Sequence, residues 1–406
     1  MDKIGFHIDS IKNELGKTSV EWHYDGSMPI IDVSETLWIT PCCRNINETH
    51  SFILSVFLPI ASPVGESVIF NEPVSSDVID FWKQKFKHLS VFFISPLKVD
   101  IFPEMDKGEL FSYKNATRRA LFAGGGVDSL STLARMLKNG EKPIMVRIIE
   151  DGIEDGEKNY QNTDRLAHSY LHDMSERFDL EIVFSTTNAT RILTSLFKYI
   201  VGKLDPESFP LIRMPNRRSN SLIVLSYLSF GFVYFFSALS SLPKDIRSIV
   251  MGSSIDDCGE WFGMGFNYNN TYNYFGLYLE SFIWPSKVSQ YNYIYTQFPE
   301  FFKWQKTCPN PHKQWCGTCH QCQTSYIMYI ACGSPPPFKK DNGAFGSLRE
   351  QDIRKIMNAY IYYIENGGKD DAIIIDIKDS LFRARDLIKK RAMQKLFKLK
   401  KTNTGL

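Results

Sequence analysis

The sequence predicts an α/β fold: a doubly wound parallel sheet, preceded by a β-rich N-terminal domain and followed by a helical C-terminal tail. Three observations lead there. From Arg119 onward, short apolar runs alternate with longer amphipathic ones, the order of strands and helices in a parallel sheet. A run of glycines follows the first of these strands, where a helix would start. A cluster of cysteines, then Pro335, Pro336 and Pro337, closes the segment.

Residues 1–115 read as the β-rich part. Runs at 19–24, 51–58, 67–70 and 90–94 are apolar or β-branched and are punctuated by Pro and Gly, with one helix around 78–86. His7, His23 and His50 are scattered and form no constellation. Residues 116–335 make the α/β domain. Its strands are expected at 120–123, 143–149, 181–184 and 248–251, and its helices at 129–138, 163–178 and 220–242. The last helix is uncharged from Leu222 to Leu242 and is long enough to span a bilayer. Ser226, Ser229, Ser237, Ser240 and Ser241 interrupt it, so it reads as a buried helix. Residues 336–406 form the tail, with helices at 348–366 and 380–400. The second is strongly basic and reads as a solvated face.

Composition narrows the function. A chain of 406 residues that is 43% hydrophobic can bury a sizeable core. A formal net charge of +2 excludes a molecule that binds nucleic acid by its overall charge. Aromatic residues make up 14%, most of them core and a minority free to stack on a planar ligand. Four of the eight cysteines crowd into 308–322, which points to metal ligation in a reducing compartment. The first ten residues carry charges and no apolar core segment, so no signal peptide is expected. A cytoplasmic protein without membrane contact is the expectation.

The glycine run is Gly124-Gly125-Gly126-Val127-Asp128-Ser129, directly after Ala123. Between a strand and a helix, its N–H groups and the helix dipole can hold phosphate. Glycine lets the backbone approach a ligand closely. Asp128 and Ser129 can cap the helix; Ser129 can donate to a phosphate oxygen, and Asp128 can sit on Mg2+. The loop lacks the Gly-Lys-Ser/Thr ending of a Walker loop, and Ser129 stands where a dinucleotide fingerprint needs glycine.

Cys308, Cys316, Cys319 and Cys322 are spaced C-x7-C-x2-C-x2-C. Four thiolates suit tetrahedral Zn2+, and a two-residue gap turns paired sulfurs toward one ion. Gly317 allows the tight turn, and His312 and His320 stand nearby as alternative ligands. A closed four-ligand site is structural, not catalytic.

The loop resembles the SGGxDS signature of PP-loop ATP pyrophosphatases, with Gly124 at the position of the first serine. Loop and cysteines together, in this order, resemble the 7-cyano-7-deazaguanine synthase family (QueC). Arg217-Arg218-Ser219-Asn220 resembles that family's PGRN segment. Val250-Met251-Gly252 followed by Asp256-Asp257 resembles its strand ending in IG and its later DD pair. Pro285 and Ser289 fall on its PLxxxSK segment, with Gln290 at the lysine position and Lys287 close by to supply the charge. The resemblance covers roughly residues 119–335.

What the resemblance implies is an ATP- and Mg2+-dependent ligase that adenylates the carboxylate of 7-carboxy-7-deazaguanine. An amine then attacks. Arg217, Arg218 and Lys287 would stabilise phosphate charge, and Asn220 with Asp256 or Asp257 would read the base. Proteins of similar build occur in the Qat and type IV CBASS anti-phage systems, where the amine resembles the N-terminus of a partner protein; residues 1–115 would present that partner. Ammonia as the amine, giving the nitrile, is the alternative. Relatives are often dimers, so a homodimer is among the expectations. Two rivals remain. A PP-loop tRNA thiolase would need a reactive thiol such as Cys258 or Cys332, and a degenerate scaffold would bind nucleotide without turnover.

Overall fold

The computed structural model describes residues 4–26, 36–89, 97–105, 113, 116–150, 157–203, 221–254, 271–308, 313–339 and 350–366. In chain order the elements are β1 (Gly5–Glu14), β2 (Lys17–Asp25), β3 (Leu37–Thr40), α1 (Ile46–Val64), β4 (Ser67–Ser75), α2 (Ser76–Leu89) and β5 (Ile101–Met105). Then come β6 (Arg118–Phe122), α3 (Val127–Lys138), β7 (Ile144–Glu150), α4 (Glu157–Phe178), β8 (Ile182–Thr187), α5 (Ala189–Lys203), α6 (Ser221–Ser241) and β9 (Ile246–Ser254). The chain continues through β10 (Thr271–Tyr274), β11 (Leu277–Trp284), α7 (Lys287–Gln297), a 3-10 turn (Pro299–Trp304), α8 (His320–Ala331) and α9 (Glu350–Glu365).

All the strands belong to one mixed, mostly parallel sheet, in the order β10-β11-β9-β6-β7-β8-β3-β2-β1-β4-β5. The block β11-β9-β6-β7-β8 is parallel throughout. Antiparallel pairing of β8 with β3 joins it to the N-terminal strands, through Ile39 opposite Thr187 and Thr40 opposite Thr186. Side chains lengthen this short seam: the Trp38 N–H donates to Asn188 Oδ1 at 2.9 Å, and Asn188 Nδ2 donates to the Thr36 carbonyl at 2.8 Å. Sheet and core therefore run across the boundary read near residue 115.

Helices lie on both faces, as the alternation of strand side chains requires. Ala120, Ile144, Val146, Ile249 and Met251 face a core shared with α1, α2, α5 and α6. Their neighbours Leu121, Met145 and Val250 face a second core with α3, α4, α7, α8 and α9. From β6 the chain moves outward through α3, β7, α4 and β8 over the second core. It then returns through α5 and α6 over the first core to β9, on the other flank of β6. The strand order therefore reverses between β6 and β9, and such a reversal opens a crevice at the carboxyl ends of the strands.

The elements expected between residues 120 and 251 are present with bounds shifted by a few residues. The basic stretch at 380–400 lies outside the described residues. One expectation is corrected: residues 51–58 are not a strand but the middle of α1. An apolar run without a period is ambiguous between a buried strand and a buried helix. Here every residue from Asn47 to Ser62 is buried, so the helix lies inside the core. Its ends carry the signals that decide. Asn45 accepts from the Glu48 N–H at 2.9 Å, and Gly65 closes the helix at φ +74°. No helix among the described residues is long and apolar enough to cross a membrane, and Phe232, Phe236 and Leu239 of α6 are core residues.

A charged knot ties α1 to the rest. Glu48 Oε1 accepts from Arg44 Nη2 at 2.7 Å and from the Tyr113 hydroxyl at 2.7 Å, while Arg44 Nη1 donates to the Leu242 carbonyl beyond α6 at 3.1 Å. Glu48 is 3% exposed and the Arg44 side chain 14%. Burial and the Glu48 carboxylate push the Tyr113 hydroxyl well above its ordinary range, so it stays a donor. Glu48→Ala leaves a buried guanidinium without its counter-charge. It should cost about 3–5 kcal/mol, read as a lower urea midpoint with an unchanged slope.

Candidate functional site

The glycine loop leaves β6 at the reversal of strand order. The Ala123 N–H still donates to the Val146 carbonyl at 2.9 Å, so the loop begins one residue past the sheet. Gly125 has φ +74°, a conformation that a side chain would strain. Gly126 occupies the N-cap of α3, and no side chain caps it. The expected capping by Asp128 or Ser129 is therefore corrected: Ser129 Oγ donates back to the Gly126 carbonyl at 2.9 Å, and Asp128 turns away from the helix end. The first-turn N–H groups of α3 are left without a side-chain acceptor, the arrangement that favours an anion.

Asp128 instead meets α7. Its Oδ2 accepts from Lys287 Nζ at 2.6 Å and its Oδ1 from Gln290 Nε2 at 2.8 Å. Gln290 is fully buried, and its Nε2 also reaches the Ser253 carbonyl of β9 at 3.4 Å. Its Oε1 is buried with no donor. Ser286 and Ser289 form a reciprocal capping box that starts α7 at Lys287 and so aims Lys287 and Gln290 at Asp128. The structure thus gathers Asp128, Lys287 and Gln290 from distant parts of the chain. Arg217, Arg218, Asn220, Asp256, Asp257 and Cys258 lie outside the described residues.

Close packing of α3 on β9 depends on Gly252. A Cβ there would stand 2.2 Å from the Asp128 carbonyl oxygen and 2.3 Å from Thr132 Oγ1.

The four cysteines converge. All four sulfurs lie within 4.8 Å of one another, with Cys316–Cys322 at 3.8 Å and Cys308–Cys319 at 3.9 Å. Sulfurs each 2.3 Å from a tetrahedral ion stand about 3.8 Å apart, so this set fits a metal such as zinc. Gly317, at φ +76°, makes the turn, and Cys319 is the N-cap of α8. Backbone N–H groups of Cys319 and Cys322 donate to Cys316 Sγ and Cys319 Sγ at 3.3 and 3.4 Å, as metal-bound thiolates require. Contact with the Cys308 thiol pushes Cys319 up to about 11. Contacts with Cys308 and Cys319, together with burial, also push Cys322 up. A bound dication reverses that cost, because a coordinated thiol is deprotonated outright.

Cysteine centre and glycine loop share a wall. The Lys306 N–H donates to the Gly125 carbonyl at 2.8 Å. Its Nζ donates to the carbonyls of Cys308 and, at 2.8 Å, Lys313. Behind this segment runs a buried chain. Tyr329 donates to Gln305 Oε1 at 2.7 Å, Gln305 Nε2 to the Tyr291 hydroxyl at 2.6 Å, and Tyr291 to Ser325 Oγ at 2.8 Å. It links α7, which carries Lys287, to α8, which carries Cys322. Sequence reasoning missed Lys306, whose signal was only a second lysine, after Lys303, two residues ahead of Cys308. Arg147, which with Glu150 is one of two charges on β7, places its Nη1 3.9 Å from where a Cβ of Gly124 would be.

Burial pushes the Cys332 thiol up to about 12, and its Sγ donates to the Val288 carbonyl at 3.5 Å, both of which disfavour the thiolate.

Compared with protein families, with curated proteins and with solved structures, the chain finds no match.

Two outcomes are expected. Gly252→Ala should lower stability by about 1–3 kcal/mol, the range for overpacking, read as a lower thermal midpoint. The purified chain should hold one zinc ion; cadmium in its place should show thiolate charge-transfer absorption that Cys316→Ser reduces. Chelation, or acidification that protonates the thiolates, should lower the thermal midpoint.

Proposed function

We propose that the chain is a doubly wound PP-loop ATP pyrophosphatase that forms a carbon–nitrogen bond, as its resemblance to the 7-cyano-7-deazaguanine synthase family implies. One observation carries the reading: the Asp128 carboxylate, held by Lys287 and Gln290, beside an uncapped helix N-terminus at the reversal of the strand order. A glycine turn of purely structural use has no need of a buried amide and an ammonium converging on its acidic residue.

The ATP phosphates would lie on the N–H groups of Gly124, Gly125, Gly126, Val127, Asp128 and Ser129, with Ala123 at the strand end. The carboxylate of 7-carboxy-7-deazaguanine attacks the α-phosphorus. The bond from that phosphorus to the bridging oxygen breaks, pyrophosphate departs, and an acyl-adenylate forms. An amine then attacks the acyl carbon; the acyl–oxygen bond breaks, AMP leaves, and the amine releases its proton to solvent. Lys287, which pairs with Asp128 on the first turn of α3, would follow charge onto the departing pyrophosphate. Arg217 and Arg218 are assigned the same task, and Asn220, Asp256 and Asp257 the reading of the base. Asp128 would hold Mg2+, which neutralises phosphate charge when bound; its carboxylate already accepts one cation at 2.6 Å. Zinc on Cys308, Cys316, Cys319 and Cys322 would be structural.

The acceptor we propose is the N-terminal amine of a partner protein in an anti-phage system, in a cytoplasmic setting. The first test is mass spectrometry of the purified chain with ATP, Mg2+ and 7-carboxy-7-deazaguanine. AMP with a base adduct on a co-expressed protein is the expected result, and Asp128→Asn should reduce AMP formation at least 100-fold, on the order expected when a transition-state charge contact is lost. AMP with the free nitrile would replace the protein acceptor by ammonia. Absence of AMP with every amine would overturn the enzyme and leave a nucleotide-binding scaffold.

A further inference from the structure

We infer that Gln290 is the positioning residue for the divalent cation assigned to Asp128, and that Lys287 is the resident cation which that ion displaces. The inference rests on the nucleotide reading above and gives two residues of α7 opposite tasks at one carboxylate.

The two ends of the Gln290 amide face different surroundings. Its Nε2 meets two acceptors, Asp128 Oδ1 at 2.8 Å and the Ser253 carbonyl at 3.4 Å. A turned amide would set its oxygen against both, acceptor on acceptor, so the nitrogen belongs there. The amide therefore ties the first turn of α3 to the end of β9 and fixes the Asp128 carboxylate between them. The other end, Oε1, is buried and has no donor among the described residues. Gln290 is fully buried, and a buried acceptor ordinarily has a partner, either protein or ordered water. Both atoms belong to one amide, so Oε1 stands one amide width from the bond to Asp128. Mg2+ dehydrates reluctantly and keeps several waters, each able to donate to such an oxygen. An orphaned acceptor beside the carboxylate assigned to the ion fits the outer partner of one of those waters.

Lys287 holds the same carboxylate in a different way. Its Nζ donates to Asp128 Oδ2 at 2.6 Å, and the Asp128 side chain keeps 34% of its surface exposed. A carboxylate has about four lone-pair sites, so the two hydrogen bonds leave room for a further partner on its open side. Two cations on one carboxylate repel each other, and the flexible stem of Lys287 lets the ammonium move away. Gln290 is neutral and opposes no cation. Entry of a dication at Asp128 therefore favours release of the ammonium and leaves the amide in place. The released ammonium stays near the uncapped first turn of α3, where phosphate charge would gather.

The test is titration of the full chain with Mn2+ and no nucleotide, followed by the electron paramagnetic resonance of the free ion. Mn2+ prefers oxygen ligands, so the four thiols compete for it weakly. Lys287→Met keeps the stem and removes the charge. It should bind Mn2+ about 10-fold more tightly, since a neighbouring cation shifts the proton affinity of a carboxylate by about that factor or more. Gln290→Met should bind Mn2+ about 10- to 100-fold more weakly, the range for loss of an outer partner of a metal site. Gln290→Asn, whose amide is too short to span the same groups, serves if the methionine variant does not fold. Damage to the fold lowers affinity in every variant, so the opposite signs separate this assignment from a structural role. Unchanged or weaker binding in Lys287→Met, or wild-type binding in the Gln290 variant, would overturn the inference; AMP formation by the wild-type chain would then still stand for the nucleotide reading. A wild-type chain that neither binds Mn2+ nor forms AMP would overturn both together.

Discussion

A missing side chain at Gly252 lets helix α3 lie against strand β9, and the arrangement of the site follows from that contact. With the helix so close, the glycine loop has little room between the end of β6 and the first turn of α3. Gly125 meets this constraint by a left-handed turn. The same proximity brings Asp128 to the edge of β9, where α7 can reach it with an ammonium and an amide at once.

The cysteine centre stands on the other side of that loop and acts on it through backbone. Residues 305–308 run from the buried Gln305, through the Lys306 bond to Gly125, to the sulfur of Cys308. A metal on four sulfurs would cross-link this segment to the start of α8 and make it stiff. Stiffness would suit the proposed phosphate-binding role, because a loop whose N–H groups are already aligned loses less entropy on binding. The proposed zinc would therefore serve the chemistry without touching a substrate.

The N-terminal strands extend the sheet, and a single core runs beneath its whole width. The join at β3 and β8 is short, with two residue pairs in register. Its strength comes from α1, which is buried on all sides and is held by Glu48 against Arg44 and Tyr113. This gives residues of the first hundred a direct link to the end of α6.

How much of this was legible depends on how far apart the interacting residues stand in the chain. Local patterns were readable: the strand–glycine–helix unit at 118–138 and the cysteine spacing at 308–322 involve neighbours, whose geometry is set by backbone sterics and by the reach of a short loop. The helix α1 was misread because its apolar residues have no period, and only its caps, Asn45 and Gly65, distinguish it from a strand. Residues that act across the fold were not legible as partners. Lys287 and Gln290 lie about 160 positions from Asp128, and Lys306 about 180 from Gly125. No local pattern encodes such contacts, since they arise from the packing of α3, α7 and the segment before Cys308 in one core on the same face of the sheet. The sequence by itself determined the local pieces, a glycine turn between a strand and a helix and four thiols that could hold a metal. The tertiary structure decided that both meet at one crevice, because the strand order reverses between β6 and β9 and leaves a gap that α7 and the cysteine segment close.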